Sequence, residues 1–343
     1  MGFISQSYVV TIGGKDVTSL LDPYLLDLTV TRSAGQAADS LDMTMADPDG
    51  IVALPNKRAD VVVTIGGATI FTGFVSDATC SVSKGEGRTI KISASSVDQG
   101  SKAKQRSLRH KDSAKFSEAA SEFGQKAGLA VTTVGTIADE ERDYWLQQNE
   151  SFIAWGQRMA RELGATFKVQ GTKAIFVARN EGVSASGKTL TTISAAWGAN
   201  LLSATIKVIR TKPKYSKVRV SYFDKDKGKR VSVDAEVDNS DVDAILREHH
   251  SRASEKHAKS RANALKKQAE RDSGDGNIEI VGNANAEPEA NVTLSGVRDG
   301  VDGTYRIHSV THKLSKKSGF TTTLELRQPQ ESAGKDSRTS KAA

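Results

Sequence analysis

The chain has 343 residues, 37% of them hydrophobic, a formal charge of +7 and a single cysteine. That length requires more than one core, and one thiol excludes both an internal disulfide and a cysteine-based metal centre. No apolar run reaches membrane-spanning length, Met1-Gly2-Phe3-Ile4-Ser5 lacks the regions of a signal peptide, and Gln6 breaks the myristoylation pattern, so no membrane anchor is expected.

Residues 8 to 12 alternate weakly, Gly13-Gly14 turns the chain, and Val17 to Leu21 is expected to return as a strand. Leu26 to Thr31, Leu41 to Met45, Val61 to Ile65, Thr69 to Val75 and Thr89 to Ala94 are further short strands, and Asp47-Pro48-Asp49-Gly50 is turn chemistry. Together they predict a small antiparallel barrel or sandwich over residues 1–100. Cys80 falls in a strand-like run and is expected to be a buried, inert thiol. Residues 101–112 are polar, basic and without periodicity, which marks a linker.

Ser113 is placed to cap a helix whose face carries Phe116, Ala119, Ala120, Phe123 and Ala127, closed by Gly128 and followed by a strand to Val134. The plan repeats downstream. Asn149 or Ser151 caps a second helix with Phe152, Trp155, Gly156, Met159, Ala160 and Leu163 on one face; Gly164 suits a left-handed C-terminal residue, and a hairpin turns at Gln170-Gly171. A small α+β domain over 113–204 follows, with Trp197 packed at its exit.

Strands return at Leu202 to Arg210, Lys217 to Phe223 and Lys229 to Val233, and a second β-barrel domain is expected over 205–327. Asp224-x-Asp226-x-Gly228 has the spacing of a calcium loop without its closing Glu, since position 235 is Ala, and reads as a hairpin turn. Residues 241–272 predict a solvated helix inserted in that domain, with a thin stripe of alanines. Ile278 to Val281, Asn291 to Leu294, Gly303 to Val310 and Gly319 to Leu326 complete the strands, and 328–343 is expected to be a flexible tail unless a partner orders it. The fold class is therefore α+β and mainly β, with two antiparallel β-barrel domains around a small α+β domain.

Charge gathers in two places: Lys102, Lys104, Arg106 and Arg109, and again Lys212, Lys214, Lys217 and Arg219. Either could face an acidic partner or DNA, or form the solvated side of a strand; no groove-reading helix accompanies them. His308 and His312 fall on one face of a strand without a third ligand, and are expected to be hydrogen-bonded or exposed rather than metal-bound. His249, His250 and His257 are expected within the polar helix. Glu150 beside Ser151 lacks a nucleophile elbow or a partnered histidine, and Glu150 is expected to support the helix N-terminus through its charge. No residue pair stands out for glycoside hydrolysis, and no glycine loop suits a phosphate.

Gln147, Asn149, Glu150 and Ser151, followed by Trp155, Arg158, Ala160 and Gly164, resemble the Q-x-N-E-S…R-x-A…G signature of the late-control protein D family of tailed phages. Phe152 stands where that family usually carries an acidic residue. The run from Asp39 to Gly50 resembles the family's first domain, and Tyr305, His312, Gly319, Thr322 and Leu324 fall on its Y…H…G-x-x-T-x-L pattern. Members are baseplate hub subunits related to the hub of type VI secretion spike proteins. The resemblance implies barrels of tail-tube type and a homotrimer forming a pseudo-sixfold ring between the hexameric tube of a contractile tail and a central spike; with no glycine-rich β-helix repeat or lysozyme-like segment in this sequence, the spike is expected to be a separate polypeptide. It further implies other baseplate proteins as neighbours, a tape measure protein or DNA in the channel, assembly in the host cytoplasm, and neither catalytic site, metal nor cofactor. A tail-associated cell-wall hydrolase and a basic DNA-binding protein are the alternatives.

Overall fold

A computed structural model describes residues 7–85, 87–179, 190–207, 215–237, 242–271, 275–330 and 333. The first lobe holds strands β1 (Tyr8–Ile12), β2 (Lys15–Asp16), β3 (Leu25–Ser33), β4 (Ser40–Ala46), β5 (Asp60–Ile65), β6 (Ala68–Ser83) and β7 (Gly87–Ser95), with the short helix α1 (Thr18–Leu21). Alternation turns Leu28, Val30, Leu41, Met43, Met45, Val61, Val63, Ile65, Ile90 and Ile92 into one core. The segment expected to return as a strand is instead α1. Asp16 Oδ1 accepts from the Thr18 N–H at 2.9 Å and from its hydroxyl at 2.6 Å, a side-chain turn that starts helical geometry. Cys80 is exposed, not buried. Strand β6 runs on to Ser83 while β5 stops pairing at Phe74, so the distal half of β6 has only β7 beside it among the described residues.

The middle domain contains β8 (Arg106–Lys115), α2 (Phe116–Lys126), β9 (Ala130–Val134), β10 (Glu141–Ser151), α3 (Phe152–Leu163), β11 (Ala165–Gln170) and β12 (Lys173–Ala178). The expected linker is mostly strand: β8 pairs antiparallel with β10 from Lys115 opposite Glu141 to Arg106 opposite Ser151. Its partner is remote in sequence and its outward side chains are polar, so no local apolar period marks it. Ser113 lies within β8 at φ 43° and does not cap; α2 begins at Phe116, and the Glu118 carboxylate accepts from the Lys115 N–H at 3.3 Å. Phe116, Phe123, Trp145, Phe152, Trp155, Phe167 and Phe176 fill the core between the helices and the β11-β12-β9 sheet. Phe152, the family departure, is fully buried with its ring 5.6 Å from that of Trp155.

Next come β13 (Ile193–Ala196) and β14 (Leu201–Ile206), then β15 (Lys217–Asp224), β16 (Lys229–Glu236), β17 (Ile245–Arg247) and α4 (Glu255–Arg271), and finally β18 (Gly276–Val281), β19 (Asn291–Ser295), β20 (Gly303–Ser315) and β21 (Gly319–Gln330). Strand β13 pairs with β19 and β14 with β18, so both belong to the second lobe, whose core includes Ile193, Leu201, Ile280, Val292 and Leu326. The insertion is larger than a helix. It is a sheet, β16-β15-β17, whose Val218, Val220 and Tyr222 pack against Ala258 and Ala262 of α4. The expected helix is shorter, with Ile245–Arg247 a strand and His249 and His250 ahead of α4. Trp197 is 62% exposed rather than packed. The expected tail begins as strand, because Gln328 to Gln330 finish β21, and Ala333 is buried; the other tail residues lie outside the described ones.

The fold is thus α+β and mainly β, and its two lobes repeat one another strand for strand. Hydrogen-bonded order is β3-β4-β7-β6-β5-β1 in the first and β14-β18-β21-β20-β19-β13 in the second, so the strands correspond in the same chain order. Two of the ladder irregularities also coincide. Register shifts fall between Leu25 and Asp27 and between Leu201 and Ser203, and again between Val75 and Asp77 and between Ile307 and Ser309. Within that common frame β1 meets β5 antiparallel, whereas β13 meets β19 parallel. The lobes are not separate bodies: β20 pairs antiparallel with β3, from Ser309 opposite Ser33 to Ser315 opposite Asp27, joining both into a 13-stranded sheet.

Candidate functional site

The signature residues meet where β10 enters α3. A bulge between Gln147 and Glu150 places Asn149 at φ 49°, a left-handed conformation that asparagine tolerates better than most residues. Gln147 is fully buried and its amide donates to the Glu150 carbonyl at 2.7 Å, closing the bulge. Ser151 Oγ caps α3 by accepting from the Ala154 N–H at 3.1 Å. The Leu146 carbonyl accepts from Trp155 Nε1 at 3.1 Å and from Arg158 Nη2 at 2.8 Å, and Arg158 also pairs with the Glu150 carboxylate at 2.5 Å. Glu150 therefore holds a side chain two turns into the helix, which differs from the expected charge effect at its end. Gly164 ends α3 at φ 68°, and a Cβ there would lie 3.1 Å from the Cα of Ala264, so it also lets α4 approach. Gln147, Glu150, Ser151, Trp155 and Arg158 are thus engaged in contacts within the domain, while Asn149 contributes its backbone conformation.

The second motif lies on the seam between the lobes. His312 is fully buried, its Nδ1 3.2 Å from Thr322 Oγ1, which accepts from the Asn283 N–H at 2.9 Å. Burial, reinforced by the Arg32 charge, pushes the imidazole down to about 3, so it is neutral at pH 7. Tyr305 donates to the Val301 carbonyl at 2.5 Å, and Gly319 turns β20 into β21 at φ 72°. His308 does not act with His312; its Nδ1 lies 3.3 Å from Arg271.

The basic residues are dispersed. Lys102 and Lys104 sit on a single 3-10 turn and Arg106 is exposed at the start of β8. Arg109 donates to the Phe123 carbonyl at 2.8 Å, and burial lowers its pKa, so it is part of the middle domain's framework. On β15, Lys217 pairs with Glu236 at 3.4 Å and Arg219 donates from Nε and Nη2 to the two Asp234 carboxylate oxygens, at 2.7 and 2.6 Å. Lys212 and Lys214 lie outside the described residues. Asp224 Oδ1 accepts from the N–H groups of Asp226 and Lys227, both at 3.1 Å, the hairpin turn expected there.

Sequence reasoning missed the ion pairs that fix the domains together. Asp39 of the first lobe pairs with Lys168 of β11, Arg32 reaches Glu287 at 2.8 Å, and Arg271 of α4 reaches Glu289 at 2.7 Å. Arg32, Asp39, Lys168, Glu287 and Glu289 border a cavity of about 490 Å³ at the three-way junction. The inserted sheet is tied to α3 by a chain of charges in which Glu162 meets Arg142 and Arg252, and Glu248 meets Arg252 and Arg261. Also missed was one continuous polar face of the shared sheet. The paired rows Ser203–Glu279–Thr323–Thr311–Thr31–Ser40–Ser95 and Val281–Thr321–Lys313–Thr29–Asp42–Ser93–Asp77 cross from one lobe to the other. The threonines alternating through Thr29-Val30-Thr31 and Thr321 to Thr323 were the available signal.

Two like β lobes share one sheet, and the contacts among Gln147, Glu150, Ser151, Trp155 and Arg158 fix β10 to α3, a fold of the kind found in tail proteins. The family described as phage tail baseplate hub (GPD) matches residues 24–318, and this chain belongs to it. It is 26% identical over 364 aligned positions to a probable baseplate hub protein of Escherichia phage 186, covering 94% of this chain and 93% of that protein. The fold is also that of the 43 kDa tail protein of prophage MuSo2 from Shewanella oneidensis, with a TM-score of 0.69 and 17% identity over 93% of this chain and 97% of that one. An E. coli component of the type VI secretion system shares it at a TM-score of 0.55 and 10% identity, over 96% of this chain and 79% of that one.

Proposed function

We propose that three copies of this hub protein close into a pseudo-sixfold ring that joins the hexameric tail tube to a separate central spike protein, with other baseplate proteins around it. The observation that carries this reading is the strand-for-strand repeat: each chain supplies two copies of one unit, so three supply six. The Ser/Thr-rich face of the shared sheet, which also carries Glu279, Lys313, Asp42 and Asp77, is turned toward the axis. Hydroxyls offer hydrogen bonds without a net field, and the charges among them are of both signs, with Asp42 paired to Lys91 at 3.3 Å and Lys313 in the same row, so a tape measure protein or DNA passes without being held. The role is structural rather than catalytic, in a particle assembled in the host cytoplasm.

Mass measurement of the purified full chain tests this, together with imaging in negative stain. The expected result is a three-chain particle with six similar lobes around a hole. A particle of two or four chains, or three without a ring, overturns it.

A further inference from the structure

Resting on the ring just described, we infer which strands seal it: the distal half of β6 pairs antiparallel with β14 of the next copy, in a fixed register. The chain contains the template for this seam. Strand β20 corresponds to β6 and β3 to β14, and β20 already pairs with β3 inside the chain. The remaining members of that correspondence, β6 and β14, present free edges among the described residues, because Ala78 to Val82 of β6 pair in a ladder only with β7 and Ser203 to Ile206 of β14 only with β18. An unpaired edge is a template for another chain, and an edge of one kind meeting an edge of another kind is a head-to-tail contact that can close into a ring.

The register follows from the matching hairpins. Ser83 and Gly87 end the β6–β7 ladder as Ser315 and Gly319 end the β20–β21 ladder. Stepping back from those turns aligns Cys80 with His312 and Val82 with Leu314. The ladders to β4 and β18 likewise align Leu28 with Ala204 and Val30 with Ile206. Inside the chain His312 faces Val30 and Leu314 faces Leu28. Between copies Cys80 then faces Ile206, Val82 faces Ala204 and Ser83 faces Ser203.

Exposure agrees with a missing cover. His312 is fully buried and Leu314 packs on the first lobe's core, whereas their counterparts Cys80 and Val82 are exposed, Val82 by 73%. A valine this open at a strand edge fits a partner with the apolar rim that β3 offers Leu314, and the outer edge of β14 in a second copy provides it.

The only native thiol lies in the proposed seam, which makes the test direct. Residues facing each other across antiparallel strands have Cα atoms about 4.5 to 5.5 Å apart, within disulfide range. Oxidised Ile206→Cys protein is expected to run on non-reducing gels mostly as linked chains up to three. Wild type, Ile206→Cys with Cys80→Ser, and the out-of-register Leu202→Cys are expected to remain single chains. Val82→Asp is expected to keep the monomer's melting temperature while shifting the particle from three-chain to one-chain mass. A three-chain particle that Ile206→Cys fails to link, and that Val82→Asp leaves intact, overturns the seam and spares the ring. Wild-type protein that stays a single chain at every concentration overturns both.

Discussion

The first and second lobes share strand order, hairpin lengths at their long ladders and the positions of two bulges, yet differ in what lies against equivalent strands. Strand β20 has the first lobe beside it, with His312 buried and Leu314 partly so; the outer half of β6 has only β7 beside it among the described residues, and Cys80 and Val82 are exposed. Phe320, at the turn of the second lobe, packs into the first lobe's core, while the corresponding Arg88 is exposed. One framework thus serves both as an internal joint and as a free edge, and residue character follows the neighbour rather than the strand.

The largest effect expected from breaking this asymmetry is at Phe320. Truncating Phe320 to Ala removes a buried ring and should cost about 3 to 5 kcal/mol, whereas Arg88→Ala at the matched position should stay within about 0.5 kcal/mol. Chemical denaturation of both variants measures the gap, and similar midpoints would mean the lobes do not lean on each other there. Next comes the pH response of the seam. The folded His312 imidazole stays neutral down to about 3, whereas unfolded it takes a proton near its ordinary value of 6.5. Its contribution is intact above about 6.5 and declines as pH falls toward 3, by up to about 1.4 kcal/mol per pH unit. Across that window His312→Asn should show a flatter stability profile than wild type.

Two smaller changes sharpen the comparison from outside the lobes. Gly164→Ala forces a Cβ into left-handed backbone and against Ala264, and should cost roughly 1 to 2 kcal/mol. Ser151→Ala removes the α3 cap and should cost about 1 kcal/mol. Neither should alter the particle's mass if assembly belongs to the lobe edges; size-exclusion chromatography with light scattering reads this.

The elements legible in the sequence were those whose signal is local. Helix α3, with Ser151 before it and Gly164 after it, and the hairpin across Gln170-Gly171 carry cap, period and turn within a few residues. What escaped depends on distant partners. Strand β8 looked like a linker because its mate β10 lies beyond a helix, and β13 fell within the middle domain because its partner β19 comes far later. The signature was visible as residues, but its use was not, since Glu150 and Arg158 meet only once the bulge at Asn149 forms. The ion pairs at the junction, such as Arg271 with Glu289, carry no spacing that a reader of one strand could detect.

The inserted sheet and α4 leave the second lobe between β14 and β18, where the first lobe has only residues 34–39 between β3 and β4. In a ring of the proposed kind every other unit therefore wears this addition and its neighbours do not. The backbone frame repeats six times around the circle while the ornament repeats three times, so a single polypeptide can present a uniform rim to one neighbour and an alternating one to another.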